Sequence, residues 1–371
     1  MARKSRVAVW RWGWLAPSET FIRSQFDAYA RWAPVAIGAE RVSSDNARPQ
    51  DRVLFEGPRK HRLARFIFKL WDWNPRLIAL IRETDPDIVH AHFGGDASRV
   101  RRAALKLGKR FVVTLHGADV TARPNRTGMR GRRNRRRLMR VLRDADLLVA
   151  VSNHIADAAT KLGADPAKVV VLPIGVPWEP APAEAPRSGV LFVGRFVEKK
   201  GIPDLIDAYS RLPDDVRRAH RLQLIGDGPL ASQIREQVKR LRLDVDMPGF
   251  LSRAEVQRRL ESSAVLAVPS HTASDGDTEG LPTVVFEAAR SATPIVGYGH
   301  AGIPEAVQHG LTGLLAPERD VPRLTSYLEE LLASDRRARQ MGAAARARFE
   351  EEFTVTTRTK ALENHYDGLM S

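Results

Sequence analysis

The chain has 371 residues, a formal net charge of +15 and the composition of an ordinary globular protein. This length exceeds what one hydrophobic core usually serves, so we expect two domains. The chain has no cysteine, which excludes disulfide bonds and thiolate metal sites, and no apolar run near the about 18 residues that a membrane-spanning helix needs. Because no signal-peptide apolar region precedes the first strand, we expect a cytoplasmic protein.

In the first half of the chain, short apolar β-rich runs alternate with amphipathic helical stretches. This pattern is typical of α/β domains in which helices cover a parallel sheet. The predicted strands span residues 6–12, 87–93, 110–117, 146–152 and 168–175. Open parallel sheets bind ligands at the carboxyl ends of their strands, so we expect functional residues there.

Two strand ends of this half carry polar residues that could meet a ligand. Gly13 follows the first strand, where it could bring backbone amides to a ligand, and a helix capped by Ser18 with Glu19 in its first turn is predicted next. His116 ends the third strand and either contacts a bound polar group or is satisfied by backbone. A metal site at residues 90–92, HAH, would need further ligands that the sequence does not show.

A proline- and alanine-rich stretch without apolar periodicity predicts a linker between the domains. A second α/β series follows, with strands at residues 189–195, 221–228, 245–250, 264–270 and 293–298. The predicted organisation is therefore a first domain at residues 1–177, a linker at 178–188, a second domain at 189–350, and a C-terminal helix at 351–371 that packs back on the first domain.

Three loops of the second half carry residues suited to a phosphate-bearing ligand. Arg195 and Lys200 lie in VGRFVEKKG (residues 193–201), where they either stabilise the charge of a departing diphosphate or belong to a solvated loop. Gly226 and Gly228 lie in IGDGPL, which is either a structural turn or a close approach of backbone to a nucleotide.

The third loop, TEGLPTVVFEAA, runs from residue 278 to residue 289. Pro282 at the first helical position would leave the amides of Leu281 and Thr283 at a helix N-terminus, which favours an anion. Glu279 could accept hydrogen bonds from sugar hydroxyls, and Glu287 could hold a diol through two oxygens. The alternative is that both are ordinary surface glutamates.

Taken in order, these patterns resemble the retaining glycosyltransferases of family 4. The resemblance covers nearly the whole chain, and H-G-A-D at 116–119 supports it. Its most specific motifs are G-R-F-x(3)-K-G at 194–201, G-D-G-P at 226–229, G-F-L at 249–251 and E-G-L-P-x(4)-E at 279–287. The resemblance implies a GT-B fold, in which two Rossmann-like doubly wound domains face a central cleft. It also implies transfer of a sugar from a nucleotide diphosphate sugar without a divalent metal or another cofactor.

The resemblance also implies a role for each matching residue. Arg195 and Lys200 would hold the donor diphosphate, Glu287 the ribose, and Glu279 and His116 the donor sugar. Backbone at two residues, Phe250 and Leu251, would meet the base. The remaining donor-binding positions would be Gly13, Gly194, Gly226, Gly228, Gly280, Leu281, Pro282 and Thr283.

The family retains the anomeric configuration, and we favour a same-face route with the donor phosphate as base, because the sequence identifies no carboxylate nucleophile. The first loop has the single glycine Gly13 and continues with SETF, which resembles a subgroup that makes bacterial surface polysaccharides. We therefore expect a role in surface polysaccharide or glycolipid synthesis, with a saccharide or lipid-linked saccharide as acceptor.

Two basic segments allow further interpretations. Residues 59–73 mix cations with large apolar side chains, so they either seat in an anionic membrane surface or form a helix packed on its own domain. A membrane contact would place the protein at the inner face of the plasma membrane. Residues 126–143 are rich in arginine, which allows nucleic-acid or phosphate binding, but they lack interleaved aromatic residues for base stacking, so we expect no nucleic acid. A GT-B epimerase or phosphorylase is the other alternative.

Overall fold

The structure is a computed structural model that describes residues 4–17, 19–57, 61–181 and 185–371. The chain divides into two compact units: unit 1 comprises Met1–Pro177 and Val355–Ser371, and unit 2 comprises Trp178–Thr354. The predicted linker at 178–188 falls in unit 2, and its residues 182–184 lie outside the described residues. Ser18, the predicted helix cap, and residues 59–60 of the first basic segment also lie outside them.

Unit 1 is built on a parallel sheet in which the described residues form seven strands. Their order across the sheet is β3-β2-β1-β4-β5-β6-β7. The strands are β1 (Arg6–Trp14), β2 (Ala33–Arg41), β3 (Arg52–Phe55), β4 (Ile88–His92), β5 (Arg110–Leu115), β6 (Leu147–Ala150) and β7 (Val169–Val171). The first helices of the chain cover this sheet; they are α1 (Thr20–Asp27), α2 (Arg62–Trp71), α3 (Pro75–Thr84), α4 (Gly94–Lys106), α5 (Gly128–Asp144) and α6 (Asn153–Lys161).

The sequence predicted five of these strands and missed β2 and β3. Strand β2, APVAIGAER, mixes small residues with a glycine, and β3 has only four residues, so neither stands out as a β-branched run. The structure also corrects the chain after β1. Glu19 immediately precedes α1 instead of lying in its first turn, and its carboxylate accepts a hydrogen bond from the Ala16 amide at 3.1 Å.

Unit 2 repeats the architecture with a parallel sheet of six strands among the residues described. Their order is β10-β9-β8-β11-β12-β13. The strands are β8 (Val190–Val193), β9 (Leu222–Ile225), β10 (Val245–Gly249), β11 (Val265–Val268), β12 (Ile295–Tyr298) and β13 (Gly313–Ala316), of which the sequence did not predict β13. The helices are α7 (Ile202–Ser210), α8 (Asp214–Ala219), α9 (Ala231–Arg240), α10 (Arg253–Ser262), α11 (Thr283–Arg290), α12 (Ile303–Ala306), α13 (Val321–Leu332) and α14 (Asp335–Arg348).

Both sheets are doubly wound, which confirms the predicted class of two Rossmann-like α/β domains. In unit 1 the strand order reverses between β1 and β4, and in unit 2 it reverses between β8 and β11. The central strands are buried on both faces, as in β4 and β11, where every residue is buried. Ligands of such sheets bind outside the carboxyl ends of the strands at the reversal.

The last helix, α15 (Val355–Met370), belongs to unit 1. Its Glu363 Oε1 accepts hydrogen bonds from the backbone amides of three consecutive residues, Ala30, Arg31 and Trp32, at 3.0, 2.8 and 3.0 Å. The Tyr366 side chain is fully buried in the unit 1 core. Over the described part of the chain, no helix combines the length and apolar character needed to cross a bilayer.

Candidate functional site

Glycines after β8 and β9 of unit 2 allow the loops at these strand ends to pack closely against each other. The Gly226 amide donates to the Gly249 carbonyl at 2.9 Å. A Cβ on Gly226, whose φ is 131°, would lie 2.0 Å from the Gly194 carbonyl oxygen, and a Cβ on Gly228 would lie 2.5 Å from that of Phe196. These glycines are therefore needed for a close approach between loops of the protein itself. Contact of the same backbone with a nucleotide stays a prediction.

Lys200, which is half-buried, forms an ion pair with the buried Glu279 at the carboxyl edge of the second sheet. Lys200 Nζ lies 2.7 Å from Glu279 Oε1, and Lys199 Nζ lies 3.9 Å from Oε2. Burial by itself would raise the pKa of Glu279, but attraction to Lys200 and Lys199 holds this pKa below its ordinary value. Glu279 is therefore ionised, and the structure brings together two residues that the sequence placed in separate loops.

Two carboxylates hold the loop at residues 269–282 that carries Glu279. Glu198 accepts hydrogen bonds from the Ser274 amide at 2.8 Å and from the Ser274 hydroxyl at 2.7 Å. Glu318 accepts one from the Thr272 amide at 2.7 Å. Because these acceptors lie outside the loop, the position of Glu279 is determined by neighbouring loops as well as by its own.

His300, at the end of β12, supports the backbone of Glu279. The Glu279 amide donates to His300 Nε2 at 3.4 Å, and His300 Nδ1 lies 2.8 Å from Glu318 Oε2. His300 thus links the Glu279 loop to Glu318.

Helix α11 begins at Thr283, with Pro282 as its N-cap at φ −66° and ψ 124°. The prediction that Pro282 is the first helical residue is wrong by one position, because this extended conformation precedes the helix. The adjoining residues Gly280 and Leu281 are buried. The first amides of a helix lack acceptors within it, so this N-terminus still favours an anion.

Glu287 is half-buried on α11. Burial raises its pKa above the ordinary value, although Arg290 and Arg253 act in the opposite direction. Within the described part of the chain, no hydrogen bond or ion pair joins Glu287 to the Lys200–Glu279 pair. Its predicted contact with a ribose therefore stays a prediction.

Arg195 and Phe250 are exposed at the same edge. Arg195 follows β8, and among the described residues its side chain has no hydrogen-bond or ion-pair partner. Phe250 follows β10 and is 77% exposed, while Leu251 beside it is half-buried. A guanidinium without a partner is available for a ligand phosphate.

His116, in unit 1, belongs to a stack of three histidines at the ends of β4 and β5. His92 Nδ1 lies 3.1 Å from His116 Nε2, and the rings of His90 and His92 are stacked with centroids 4.7 Å apart. Burial lowers the pKa of His90 and of His116 to about 3, and it holds that of His92 well below its ordinary value. All three imidazoles are therefore neutral near pH 7.

The two ends of this stack differ. His90 is satisfied in the core, with Tyr366 Oη at 2.6 Å and Thr114 Oγ1 at 2.7 Å, whereas the Nε2 of His92 is buried without a partner among the residues that the structure describes. His116 turns its Nε2 to His92, which leaves Nδ1 as the nitrogen that faces other partners. Over the described residues, no cluster of three or more His, Cys, Asp or Glu side chains is arranged to hold a metal ion.

Gly13 is not in the loop that the sequence predicted. It lies inside β1, opposite Glu40 of β2, and a Cβ on it would come 3.2 Å from Val42 Cγ2. The prediction of a free glycine loop is wrong because β1 continues to Trp14. Within the same strand, Arg11 forms ion pairs with two acidic residues, Glu19 and Asp96.

Sequence reasoning missed several residues that support the site. Asp119 accepts hydrogen bonds from the amides of Gly94 and Gly117 at 2.9 and 2.8 Å and so joins the loops after β4 and β5. Asp119 and His300 follow strand ends, so the rule that identified the other residues could have found them. Lys199 is visible in the lysine pair, but the sequence does not show which lysine contacts the carboxylate.

Two families match this chain in succession. Residues 182–348 match the family described as "Glycosyl transferases group 1", and residues 31–179 match the family described as "Glycosyltransferase Family 4". The two matches meet near the boundary between unit 1 and unit 2.

Individual relatives agree with these families. WcaL of Escherichia coli, a glycosyltransferase provisionally assigned to colanic acid biosynthesis, is 31% identical over 252 residues, which is 65% of this chain and 60% of WcaL. The chain thus spans less than two thirds of that relative. Glycogen synthase of Mycobacterium tuberculosis is 30% identical over 294 residues, 75% of this chain and 68% of the synthase.

Solved structures share the fold. HepE of Anabaena, whose crystal structure contains UDP, superposes with a TM-score of 0.77 over 98% of this chain and 100% of HepE, at 19% identity. At this identity the similarity shows the fold alone, which is the fold that the sequence predicted.

Proposed function

The chain belongs to the group 1 glycosyltransferases, and from this we propose that it moves a sugar from a nucleoside diphosphate donor to a saccharide or lipid-linked saccharide. We propose further that the reaction retains the anomeric configuration and needs no divalent metal. The observation that carries the proposal is the ion pair of Lys200 with the buried Glu279 at the carboxyl edge of the unit 2 sheet.

The chemistry of this pair fits a departing diphosphate. As the bond to the sugar breaks, negative charge develops on the leaving phosphate, and a fixed cation in a partly dry site stabilises that charge. Lys200 is held by Glu279, and Arg195 adds a fork of donors without a partner of its own among the described residues. Glu279, as an anion, accepts hydrogen bonds from hydroxyls of the donor sugar.

The relatives support the donor and acceptor classes. HepE has been crystallised with UDP and with UDP-glucose, so a nucleoside diphosphate sugar is the expected donor. WcaL carries a colanic acid assignment, and the SETF segment after Gly13 resembles a subgroup that makes surface polysaccharides. We therefore propose a step of bacterial surface polysaccharide or glycolipid synthesis.

The test is a thermal-shift screen of nucleoside diphosphates and their sugars, because a ligand that binds the folded state raises the melting temperature. We expect one nucleoside diphosphate to shift the wild type and Arg195→Ala to lose most of that shift. Arg235→Ala, which removes an exposed arginine on α9, is the matched control and should keep it. Loss of the shift in both variants, or no shift with any nucleotide, would contradict the phosphate site.

Retention and metal independence need a separate measurement with the donor identified by that screen. NMR of the sugar anomer released by slow donor hydrolysis, recorded before mutarotation, should show the donor's own configuration. Activity should be unchanged after treatment with EDTA. An inverted product, or activity lost to EDTA and restored by Mg²⁺, would overturn the corresponding part of the proposal.

A further inference from the structure

Helix α2 turns its apolar stripe outward. Leu63, Phe66, Ile67 and Leu70 follow the i, i+3, i+4, i+7 spacing of one helix face, and each is between 41% and 72% exposed. In a globular protein a stripe of this spacing normally faces the core. A contiguous exposed apolar surface of this kind marks an interaction site.

The opposite face of α2 fixes this orientation. Phe68 is fully buried and packs against two tryptophans of β1, with ring centroids 6.4 Å from Trp10 and 5.3 Å from Trp12. Rotation of the helix to bury its stripe would therefore expose Phe68 and break this aromatic cluster. The outward stripe is a packed feature of unit 1.

Arginines from α5 hold the C-terminal end of α2. Arg137 donates to the Leu70 carbonyl at 3.0 Å and to the Lys69 carbonyl at 2.9 Å, and Arg133 also donates to the Leu70 carbonyl. The last carbonyls of a helix lack partners within it, and cations are stabilising there. The two basic segments of the sequence thus form one surface.

A groove of about 570 Å³ lies between α2, α4 and α5 on this surface. Arg132, Arg136 and Arg140 line it at i, i+4, i+8 spacing, and within the described residues they have neither an acidic partner nor a carbonyl acceptor. Like charges at this spacing repel one another. The groove therefore favours an anionic occupant, and Trp71 and Met129 give the same groove an apolar border.

We propose that this surface, formed by the outward stripe of α2 and the arginines of α5, docks the protein on an anionic lipid bilayer. Lipid phosphates would neutralise the arginines, and the apolar stripe would enter the headgroup region. A lipid offers both phosphates and hydrocarbon. A polyanionic saccharide or nucleic acid provides no hydrocarbon for Leu63 and Ile67, and a second copy of the chain carries the same +15 charge.

The first test is co-sedimentation of the full chain with vesicles at low salt. We expect binding to phosphatidylcholine vesicles that contain phosphatidylglycerol, weak binding to pure phosphatidylcholine, and release by high salt. Each basic residue near an anionic surface contributes on the order of fivefold in partitioning, so three arginines together should contribute on the order of a hundredfold. This measurement needs no donor or acceptor, so its result is independent of the proposed function.

Matched variants separate the two parts of the surface. Arg132→Gln with Arg136→Gln and Arg140→Gln should lower partitioning on the order of a hundredfold. The control variant removes the same charge from exposed arginines elsewhere and should retain binding; it combines Arg235→Gln, Arg240→Gln and Arg258→Gln. Equal loss in both variants would show a response to net charge only and would overturn the docking surface.

The apolar stripe is tested in the same way. Phe66→Ser with Ile67→Ser should weaken binding, while Leu311→Ser with Met370→Ser, at exposed positions outside this surface, should not. Because the chain has no cysteine, Ile67→Cys gives a single thiol for an environment-sensitive fluorophore, and Leu311→Cys is its control. We expect a blue shift on anionic vesicles at residue 67 and none at residue 311.

Two further outcomes would overturn the proposal. One is no binding to anionic vesicles by a wild type that is folded by circular dichroism. The other is a wild type that binds a single-stranded oligonucleotide but not the vesicles, and that loses this oligonucleotide binding in the triple variant Arg132→Gln, Arg136→Gln, Arg140→Gln. That result would assign the surface to nucleic acid.

Discussion

The strand ends of unit 1 and unit 2 place polar residues in the same position but in opposite electrostatic states. In unit 1, burial keeps three stacked histidines neutral, with the pKa of His116 lowered to about 3. In unit 2, the buried Glu279 stays ionised because Lys200 lies 2.7 Å away. Burial disfavours charge in both units, and a close partner of opposite charge decides the difference. The same architecture can thus supply neutral hydrogen bonding in one unit and fixed charge in the other.

The largest expected effect comes from removing the cation of unit 2. Lys200→Ala leaves the buried Glu279 carboxylate without its 2.7 Å cation, and removing one partner of such a pair costs about 3–5 kcal/mol in the free energy of unfolding. Urea denaturation should show this loss, and Lys200→Ala with Glu279→Gln should recover most of it. Neither variant should transfer sugar. Lys239→Ala, at an exposed position of α9, is the control, and an equal loss there would contradict the role of the pair.

Replacing glycine by alanine should destabilise the protein more at the unit 2 strand ends than at the end of β1. Gly226→Ala places a Cβ 2.0 Å from a carbonyl oxygen at a φ of 131°, and we expect a loss of about 3 kcal/mol from overpacking and strain. Gly276→Ala has a positive φ but no neighbour within 4 Å, so it should cost only about 1 kcal/mol.

Gly13→Ala sharpens the same comparison, because Gly13 lies in β1 with an ordinary φ and the nearest atom to a Cβ is 3.2 Å away. We expect a loss below about 1 kcal/mol from urea denaturation, since a strand accepts alanine. A loss at Gly13→Ala as large as at Gly226→Ala would mean that the end of β1 is as tightly constrained as that of β9.

Acid should destabilise the protein through the neutral histidines of unit 1. Their folded pKa is below the unfolded value, so the unfolded state binds protons first as the pH falls. The pKa of histidine in the unfolded state is about 6.5. Stability is therefore lost as the pH falls below this value, until the folded pKa of about 3 is reached. As the pH falls from about 6.5 to about 5, one such histidine should lower the free energy of unfolding by about 2 kcal/mol.

The pH effect can be assigned with two variants. Denaturation of His90→Gln should show a smaller loss of stability between neutral and acid pH than the wild type. His309→Gln, at an exposed position, should keep the wild-type dependence. An unchanged pH dependence in His90→Gln would contradict the assignment, and imidazole NMR titration would then identify the group responsible.

The smallest effect on stability is expected for Arg195→Ala. Because this side chain is exposed and without a partner among the described residues, its loss should change the free energy of unfolding by less than about 0.5 kcal/mol. Its donor affinity should nevertheless fall by about tenfold or more, since a charge-assisted hydrogen bond to phosphate is lost. Denaturation together with the nucleotide thermal shift distinguishes the two. A large loss of stability in Arg195→Ala would contradict this prediction, because it would mean that Arg195 stabilises the fold through a contact.

The sequence by itself determined the α/β class and the positions of most strands, because apolar β-rich runs are local signals and parallel strands end in the loops that bind ligands. It also placed Arg195, Lys200 and Glu279 in such loops. It missed β2, β3 and β13, which are short or mixed in composition. It misplaced Gly13, since a strand's end depends on what its neighbour pairs with.

Only the tertiary structure decided which of these residues meet. The contact of Lys200 with Glu279 joins residues 79 positions apart, and no local pattern shows that His92, rather than a backbone group, contacts His116. The mixture of cations and large apolar side chains at residues 59–73 was visible in the sequence, but which face of α2 turns outward was not. The orientation of α2 follows from Phe68 packing on Trp10 and Trp12, because a helix can bury only one face and long-range contacts select it.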